Sequence, residues 1–117
     1  MLVIGAGITI GGGILIESQD VGRKAIFGYG FDGVEVSMTN LVSNTGVVAT
    51  DTTGVGTARG QLAATTYDTD KCIFGYGVNT SGTRVATTNK VSNTGVVAND
   101  TSGVGTARRS LAASSCG

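Results

Sequence analysis

The chain contains two close copies of one segment. Asn40–Arg59 and Asn89–Arg108 are identical at seventeen of twenty positions, and KAIFGYG at Lys24–Gly30 returns as KCIFGYG at Lys71–Gly77. The offset between copies is 49 residues in the first pair and 47 in the second. A unit of about 49 residues occurring twice is typical of a repeat architecture. The two-residue difference falls between Gly30 and Asn40, where the corresponding segment of the second copy, from Gly77 to Asn89, is longer. We predict that this segment of variable length is a surface loop.

Each unit contains four short segments that favour β-strands, separated by Gly, Ser, Thr and Asn. They are KAIFGYG, GVEVSMTN, TGVVAT and GQLAATTY in the first copy, and KCIFGYG, TRVATTN, TGVVAN and RSLAASS in the second. β-Branched residues favour strands, and the intervening residues favour turns. We therefore predict an all-β protein with two four-stranded antiparallel blades, since this spacing is typical of a β-propeller.

Composition excludes several classes of function. The chain has no His, two Cys and equal numbers of positive and negative residues. His-based catalysis is therefore impossible, and a zinc site is not expected. Zero net charge argues against nucleic-acid binding, which requires a basic surface. We expect no enzyme activity, no catalytic residues, no cofactor and no metal.

Residues 1–22 differ from the repeats, which occupy residues 23–117. The run MLVIGAGITIGGGILI is uncharged and carries five glycines. It lacks the positive start of a signal peptide and is shorter than the ~20 apolar residues of a membrane-spanning helix. We expect an extended anchor that contacts other proteins through residues 1–16, without membrane insertion. A Gly-rich membrane-active segment is the alternative.

The repeats resemble degenerate kelch repeats. A strand ending in Phe-Gly-Tyr-Gly, then Asn-Thr-Gly, then an Arg that opens a small-residue strand is similar to the kelch pattern, although Trp and Pro are absent. The resemblance implies that two glycines close one strand and the arginine begins the innermost strand of the next blade. The matching residues are Gly28, Gly30, Gly75, Gly77, Arg59 and Arg108.

The tandem IFGYG and SNTGVVATDTTGVGTAR segments also resemble repeats in structural proteins of tailed phages, and the glycine-rich start is similar to small virion proteins of cyanophages. The resemblance implies a location on the virion. It also implies a trimer, because phage fibres are generally trimeric.

Two blades cannot close a ring, since propellers typically have 4–8 blades. The chain lacks a small-residue strand before Lys24 and has a surplus one at residues 109–115. We therefore expect a homo-oligomer in which the surplus strand of one subunit completes the first blade of the next. Three copies giving six blades are favoured over two or four. The residues predicted to pair between subunits are Ala25, Ile26, Phe27, Leu111, Ala112 and Ala113.

Four side chains are candidates for ligand binding. Arg59 and Arg108 could line the ring opening and hold anionic or sugar groups, and Tyr29 and Tyr76 could stack on sugars. The alternatives are arginines that bond loop carbonyls and tyrosines that pack between blades.

The acidic residues give weaker signals. Asp51 and Asp100 could bind a cation or accept backbone hydrogen bonds in turns. Asp68 and Asp70 form a further acidic pair, present in one copy only.

These observations favour a non-enzymatic virion structural protein of a tailed phage, such as a fibre, knob or decoration protein, with contact to host surface glycans as a further expectation. The alternative is a small-repeat propeller lectin that binds carbohydrate. A hydrolase using the carboxylates at positions 51 and 100 is a third, weaker hypothesis.

Overall fold

The computed structural model describes residues 24–117, which contain strands, turns and no helix. The all-β prediction is therefore confirmed. The strands are β1 (Ala25–Phe31), β2 (Glu35–Val42), β3 (Arg59–Gly60), β4 (Ala63–Tyr67), β5 (Lys71–Gly75), β6 (Val78–Asn79) and β7 (Thr88–Val91). We call residues 24–62 the first repeat and residues 71–111 the second repeat.

The strands form three small antiparallel sheets. β1 pairs with β2, β3 pairs with β6, and β5 lies between β4 and β7. The β1–β2 register shifts between Gly28 and Gly30, and Tyr29 between them has a φ of 64°. Tyr76 has nearly the same φ, 66°. The irregularity directs Tyr29 away from the regular side-chain alternation of β1, and Tyr76 has the same backbone conformation just beyond the end of β5.

The third predicted strand of each unit is not a regular strand, so this part of the prediction was wrong. Residues 47–52 touch β2 only through the bridges Val42–Val48 and Thr39–Thr52, and residues 96–101 bridge β7 in the same way. The physical reason is that a side chain takes the place of a backbone donor. The Asn40 Nδ2 donates to the Ala49 carbonyl at 3.2 Å, so this carbonyl does not take part in a continuous backbone ladder with β2.

The Ser-Asn-Thr-Gly turn before each bridged segment is built by its serine. The Ser43 Oγ accepts hydrogen bonds from the backbone N–H groups of Thr45 and Val47, at 3.2 and 3.0 Å. The Ser92 Oγ makes the corresponding bonds in the second repeat. A serine hydroxyl can satisfy turn amides in this manner. The sequence therefore determines this turn locally.

The segment of variable length is largely a β-hairpin rather than a loop. In the first repeat it comprises the end of β1, a short turn and most of β2. In the second repeat the turn is longer, and the Asn79 side chain accepts hydrogen bonds from the backbone N–H groups of Ser81 and Thr83. Residues 80–84 are exposed. The length difference is thus at the surface, at the tip of a hairpin.

The β1–β2 sheet and the β4–β5–β7 sheet differ in how many strands they contain. β4, which follows the first repeat, pairs with β5 of the second repeat, so that β4, β5, β7 and the bridged segment 96–101 lie side by side. The first repeat has only β1, β2 and its bridged segment. Residues 109–117 form no strand. Two complete four-stranded blades are therefore not present in residues 24–117.

The core lies between the repeats. Tyr29, Phe74 and Val91 are buried together, and partly buried apolar side chains pack around them: Ile26, Leu62, Cys72 and Val97. Other large apolar side chains of the repeats stay outside this core: Phe27, Val47, Val48 and Val96 are 52–64% exposed. In residues 24–117 only one of the two repeats has its apolar face covered.

Candidate functional site

Within residues 24–117, a cluster of buried polar interactions is centred on Arg59, where the first repeat meets the second. Arg59 is fully buried. Its Nε donates to the Tyr76 carbonyl at 2.9 Å, one Nη to the Thr57 carbonyl at 3.0 Å, and the other Nη to the Asn89 Oδ1 at 2.6 Å. Burial lowers the pKa of Arg59, while Tyr29 and Asp100 act in the opposite direction. The guanidinium fork thus joins both repeats with three of its five N–H groups.

Asp100 provides the carboxylate of the same cluster. Its oxygens accept hydrogen bonds from the Thr57 N–H at 3.2 Å, the Thr57 hydroxyl at 2.7 Å and the Asn89 Nδ2 at 2.9 Å. One oxygen lies 3.9 Å from an Arg59 Nη. Burial acts to raise the pKa of Asp100, but the bonds from Thr57 and Asn89 and the Arg59 charge outweigh it and lower that pKa. The carboxylate is therefore held ionised at the repeat interface.

Tyr29 forms the apolar side of the cluster. Its ring is 5.1 Å from the Phe74 ring between centroids, at an interplanar angle of 58°, and the Arg59 guanidinium lies 4.7 Å from its centroid. The hydroxyl donates to the Val55 carbonyl at 2.8 Å. Burial raises the pKa of Tyr29. The tyrosine thus packs its ring between the repeats and satisfies its hydroxyl within its own repeat.

A glycine allows the two repeats to approach this closely. A Cβ at Gly56 would overlap the Asp100 carboxylate and lie 2.7 Å from the Asn89 Nδ2. Gly105 occupies the same position of the second repeat, and a Cβ there would meet only the Tyr76 hydroxyl, at 3.5 Å. The lack of space for a Cβ at Gly56 therefore comes from the interface, since Gly105 has room for one.

We call Tyr29, Thr57 and Arg59 the donor face of the first repeat, and Phe74, Asn89 and Asp100 the acceptor face of the second repeat. Each repeat carries both sets. The donor face of the second repeat is Tyr76, Thr106 and Arg108, and the acceptor face of the first repeat is Phe27, Asn40 and Asp51.

The predicted ligand-binding residues occupy two different environments. Arg59 and Tyr29 are buried at the interface. Arg59 donates to backbone carbonyls, which is the arrangement expected for an arginine with a structural role. Arg108 is exposed, and its guanidinium covers the Tyr76 ring at 4.4 Å from the centroid. Stacking of a sugar on that face of Tyr76 would therefore require Arg108 to move. Ligand binding by these four residues stays a prediction.

The acidic residues also differ between copies. Asp100 joins the repeats, whereas Asp51 accepts a hydrogen bond at 2.8 Å from Asn40 of its own repeat. Asp68 and Asp70 both bind the Lys71 Nζ at 3.2 Å. Within residues 24–117 no three Cys, Asp or Glu side chains are grouped as metal ligands. The same part of the chain contains no helix long and apolar enough to cross a membrane.

Sequence reasoning missed Asn89 and its partnership with Asp100. The signal was present, because an Asn followed eleven residues later by an Asp occurs in both repeats. Pairing it with Arg59 required knowledge of how one repeat stacks on the next.

The segments predicted to pair between subunits are not paired with each other here. Ala25, Ile26 and Phe27 lie in β1, which pairs with β2 on one edge. Leu111, Ala112 and Ala113 lie outside the strands. The predicted anchor at residues 1–16 lies outside the described residues.

Comparison with models of protein families, with curated proteins and with solved structures gives no match to this chain.

Proposed function

We propose that this chain is a non-enzymatic structural protein of a tailed-phage virion, in which several copies complete a ring of β-propeller blades. A trimer with six blades is the favoured arrangement. Residues 1–16 would attach the ring to other virion proteins, and the ring would face host surface glycans.

One observation supports a structural role most directly. Arg59, a fully buried side chain, donates two hydrogen bonds to the second repeat, at the Tyr76 carbonyl and the Asn89 Oδ1, and a third to Thr57 of its own repeat. Desolvating a guanidinium is costly unless its donors are satisfied. A buried charge that joins one repeat to the next supports a role as a structural building block. The phage assignment is supported by the sequence resemblance alone.

Particle labelling tests the proposal. Antibodies raised against residues 24–117 should decorate intact virus particles purified from the source of the gene, and the chain should co-purify with those particles in stoichiometric amounts. Deleting residues 1–16 should leave the oligomer intact and remove it from the particles. Particles devoid of the chain, together with specific glycan binding by the free protein on an array, would favour the lectin alternative instead.

A further inference from the structure

We propose that the donor face of the second repeat binds the acceptor face of the first repeat in another copy of this chain, and that residues 112–115 join the open edge of β1 in that copy. This inference deepens the proposed function, because it names the partner as a second copy and identifies the side chains that recognise it.

The interface between the two repeats provides the template. Within one chain the donor face of the first repeat binds the acceptor face of the second through Arg59, Asn89 and Asp100. Because the repeats are nearly identical, the same two surfaces recur once more, at opposite ends of the repeat pair. Two surfaces that already bind each other inside the chain are complementary between chains.

The donor face of the second repeat is already arranged for binding. Arg108 donates an Nη hydrogen bond to the Thr106 carbonyl at 3.1 Å, and its guanidinium lies over the Tyr76 ring, as Arg59 does with Thr57 and Tyr29. The Tyr76 hydroxyl donates to the Val104 carbonyl at 2.9 Å, matching the bond from Tyr29 to Val55.

These shared contacts hold the uncovered Arg108 in the arrangement of the buried Arg59. Little side-chain ordering is then required at binding, and pre-organisation of this kind favours affinity.

The acceptor face of the first repeat is equally prepared. The Asn40 Nδ2 donates to the Ala49 carbonyl and to the Asp51 Oδ1, as the Asn89 Nδ2 does to Ala98 and Asp100. This pair of bonds orients the amide so that its oxygen is available to a guanidinium. Asp51 adds a negative charge opposite the positive charge of Arg108.

The exposed fractions of equivalent apolar side chains show that the acceptor face of the second repeat is covered and that of the first repeat is not. Phe27 is 63% exposed where its counterpart Phe74 is 4% exposed, and Phe31 is 68% exposed where Val78 is 3% exposed. The first repeat covers Phe74 and Val78. A second copy docked in the same way would cover Phe27 and Phe31, which removes two large apolar side chains from water.

The strand register follows from the same template. β4 pairs with β5 through Ala63–Gly75, Ala64–Phe74, Thr65–Ile73 and Thr66–Cys72. Transferring this register to the next copy pairs Ala112, Ala113, Ser114 and Ser115 with Gly28, Phe27, Ile26 and Ala25. The added strand would cover the edge of β1 that is unpaired within residues 24–117. Head-to-tail contacts of this type close into rings or extend into filaments.

Mixing two complementary variants tests the proposal. Arg108→Glu damages the donor face and Phe27→Glu damages the acceptor face. Both side chains are exposed, so each chain should keep the wild-type circular-dichroism spectrum. Wild-type protein should sediment as an oligomer, and each variant alone as a monomer. An equimolar mixture retains one intact donor and one intact acceptor face, so it should form a one-to-one heterodimer and no larger species.

The outcomes separate this interface from others. A symmetric interface would give no heterodimer on mixing, because each patch would contact itself. Wild-type protein that stays monomeric over the accessible concentration range would overturn the proposal. So would folded variants that keep the wild-type oligomer.

A disulfide cross-link tests the strand register independently. The pair Tyr67–Lys71 corresponds to Cys116 opposite Lys24 of the next copy. In a Cys72→Ala background, Lys24→Cys should therefore cross-link to Cys116 between copies after mild oxidation with diamide. Ala25→Cys is the matched control, because adjacent residues of a strand point to opposite faces. Equal cross-linking of both variants, or none, would contradict the register.

Failure of this inference differs from failure of the proposed function. A monomeric protein that is nevertheless found on virus particles would exclude the head-to-tail interface and the ring built from it, but not the virion role. A head-to-tail oligomer absent from particles would exclude the virion role alone.

Discussion

Arg59 and Arg108 occupy the same position of the two repeats and make the same local contacts, but only Arg59 reaches the next repeat. Each lies over the tyrosine of its own repeat, at 4.7 and 4.4 Å from the ring centroid. Arg59 also donates to Asn89 and to the Tyr76 carbonyl, and it is fully buried, whereas Arg108 is exposed. The repeated sequence therefore supplies an internal control for each interface residue.

The two arginines should differ sharply in their effect on folding. Arg59→Ala removes the donor of the buried Asn89 Oδ1 and of the partly buried Tyr76 carbonyl, and an unsatisfied buried acceptor costs about 1–3 kcal/mol. Arg108→Ala should change the free energy of unfolding by less than about 0.5 kcal/mol in the monomer. Urea denaturation at low protein concentration measures both. Equal losses would show that Arg59 stabilises its own repeat rather than the interface.

Phe74 and Phe27 should differ in their effect on stability, as the two arginines do. Phe74→Ala removes a buried ring that contacts Tyr29 and should cost about 3–5 kcal/mol. Phe27→Ala changes a largely exposed ring and should leave the unfolding midpoint of the monomer almost unchanged. Thermal unfolding monitored by circular dichroism measures the unfolding midpoint of both variants. A large loss from Phe27→Ala would mean that this ring is buried in solution.

Alanine at the two glycines should separate steric from backbone effects. Gly56 and Gly105 have φ values of 80° and 86°, so both substitutions carry a similar backbone strain of order 1–3 kcal/mol. Gly56→Ala must additionally displace Asp100, since the new Cβ would overlap its carboxylate. The difference between the two variants in unfolding free energy reports that clash. No difference would mean that the interface relaxes freely around position 56.

Stability should fall at acidic pH through Asp100. Its folded-state pKa is lowered by hydrogen bonds from Thr57 and Asn89 despite partial burial. The stabilisation is therefore fully present above the ordinary aspartate pKa of about 4, and it is lost as the pH falls through the lowered folded value. Asp100→Asn should reduce stability at neutral pH and flatten the decline between about pH 5 and 2.

Thr57→Val provides the matching control for that pH dependence. It removes the hydroxyl that donates to the Asp100 carboxylate but retains the backbone N–H. The folded-state pKa of Asp100 should then lie closer to the ordinary aspartate value, so the acid-induced loss of stability should be smaller and should be complete at a higher pH than in the wild type. Urea midpoints measured across the pH range test both variants. An unchanged pH profile in each would show that other carboxylates govern the acid sensitivity.

The sequence alone determined the all-β class, the two-repeat organisation and the Ser-Asn-Thr-Gly turns. These features depend on local propensity and on side-chain hydrogen bonds between near neighbours, such as the Ser43 hydroxyl with the Val47 amide. They do not require knowledge of distant contacts. The pairing of β4 with β5 was also foreseeable, because a small-residue strand follows one repeat and precedes the next.

The tertiary structure decided which copy of each residue is used. Phe27 and Phe74 lie in nearly identical sequences, and only Phe74 has a repeat stacked on it. The same stacking buries Arg59 and brings Asn89 and Asp100 to it from positions 30 and 41 residues away. Burial and charge pairing depend on what lies across an interface, and a repeated sequence assigns identical residues to covered and uncovered positions alike.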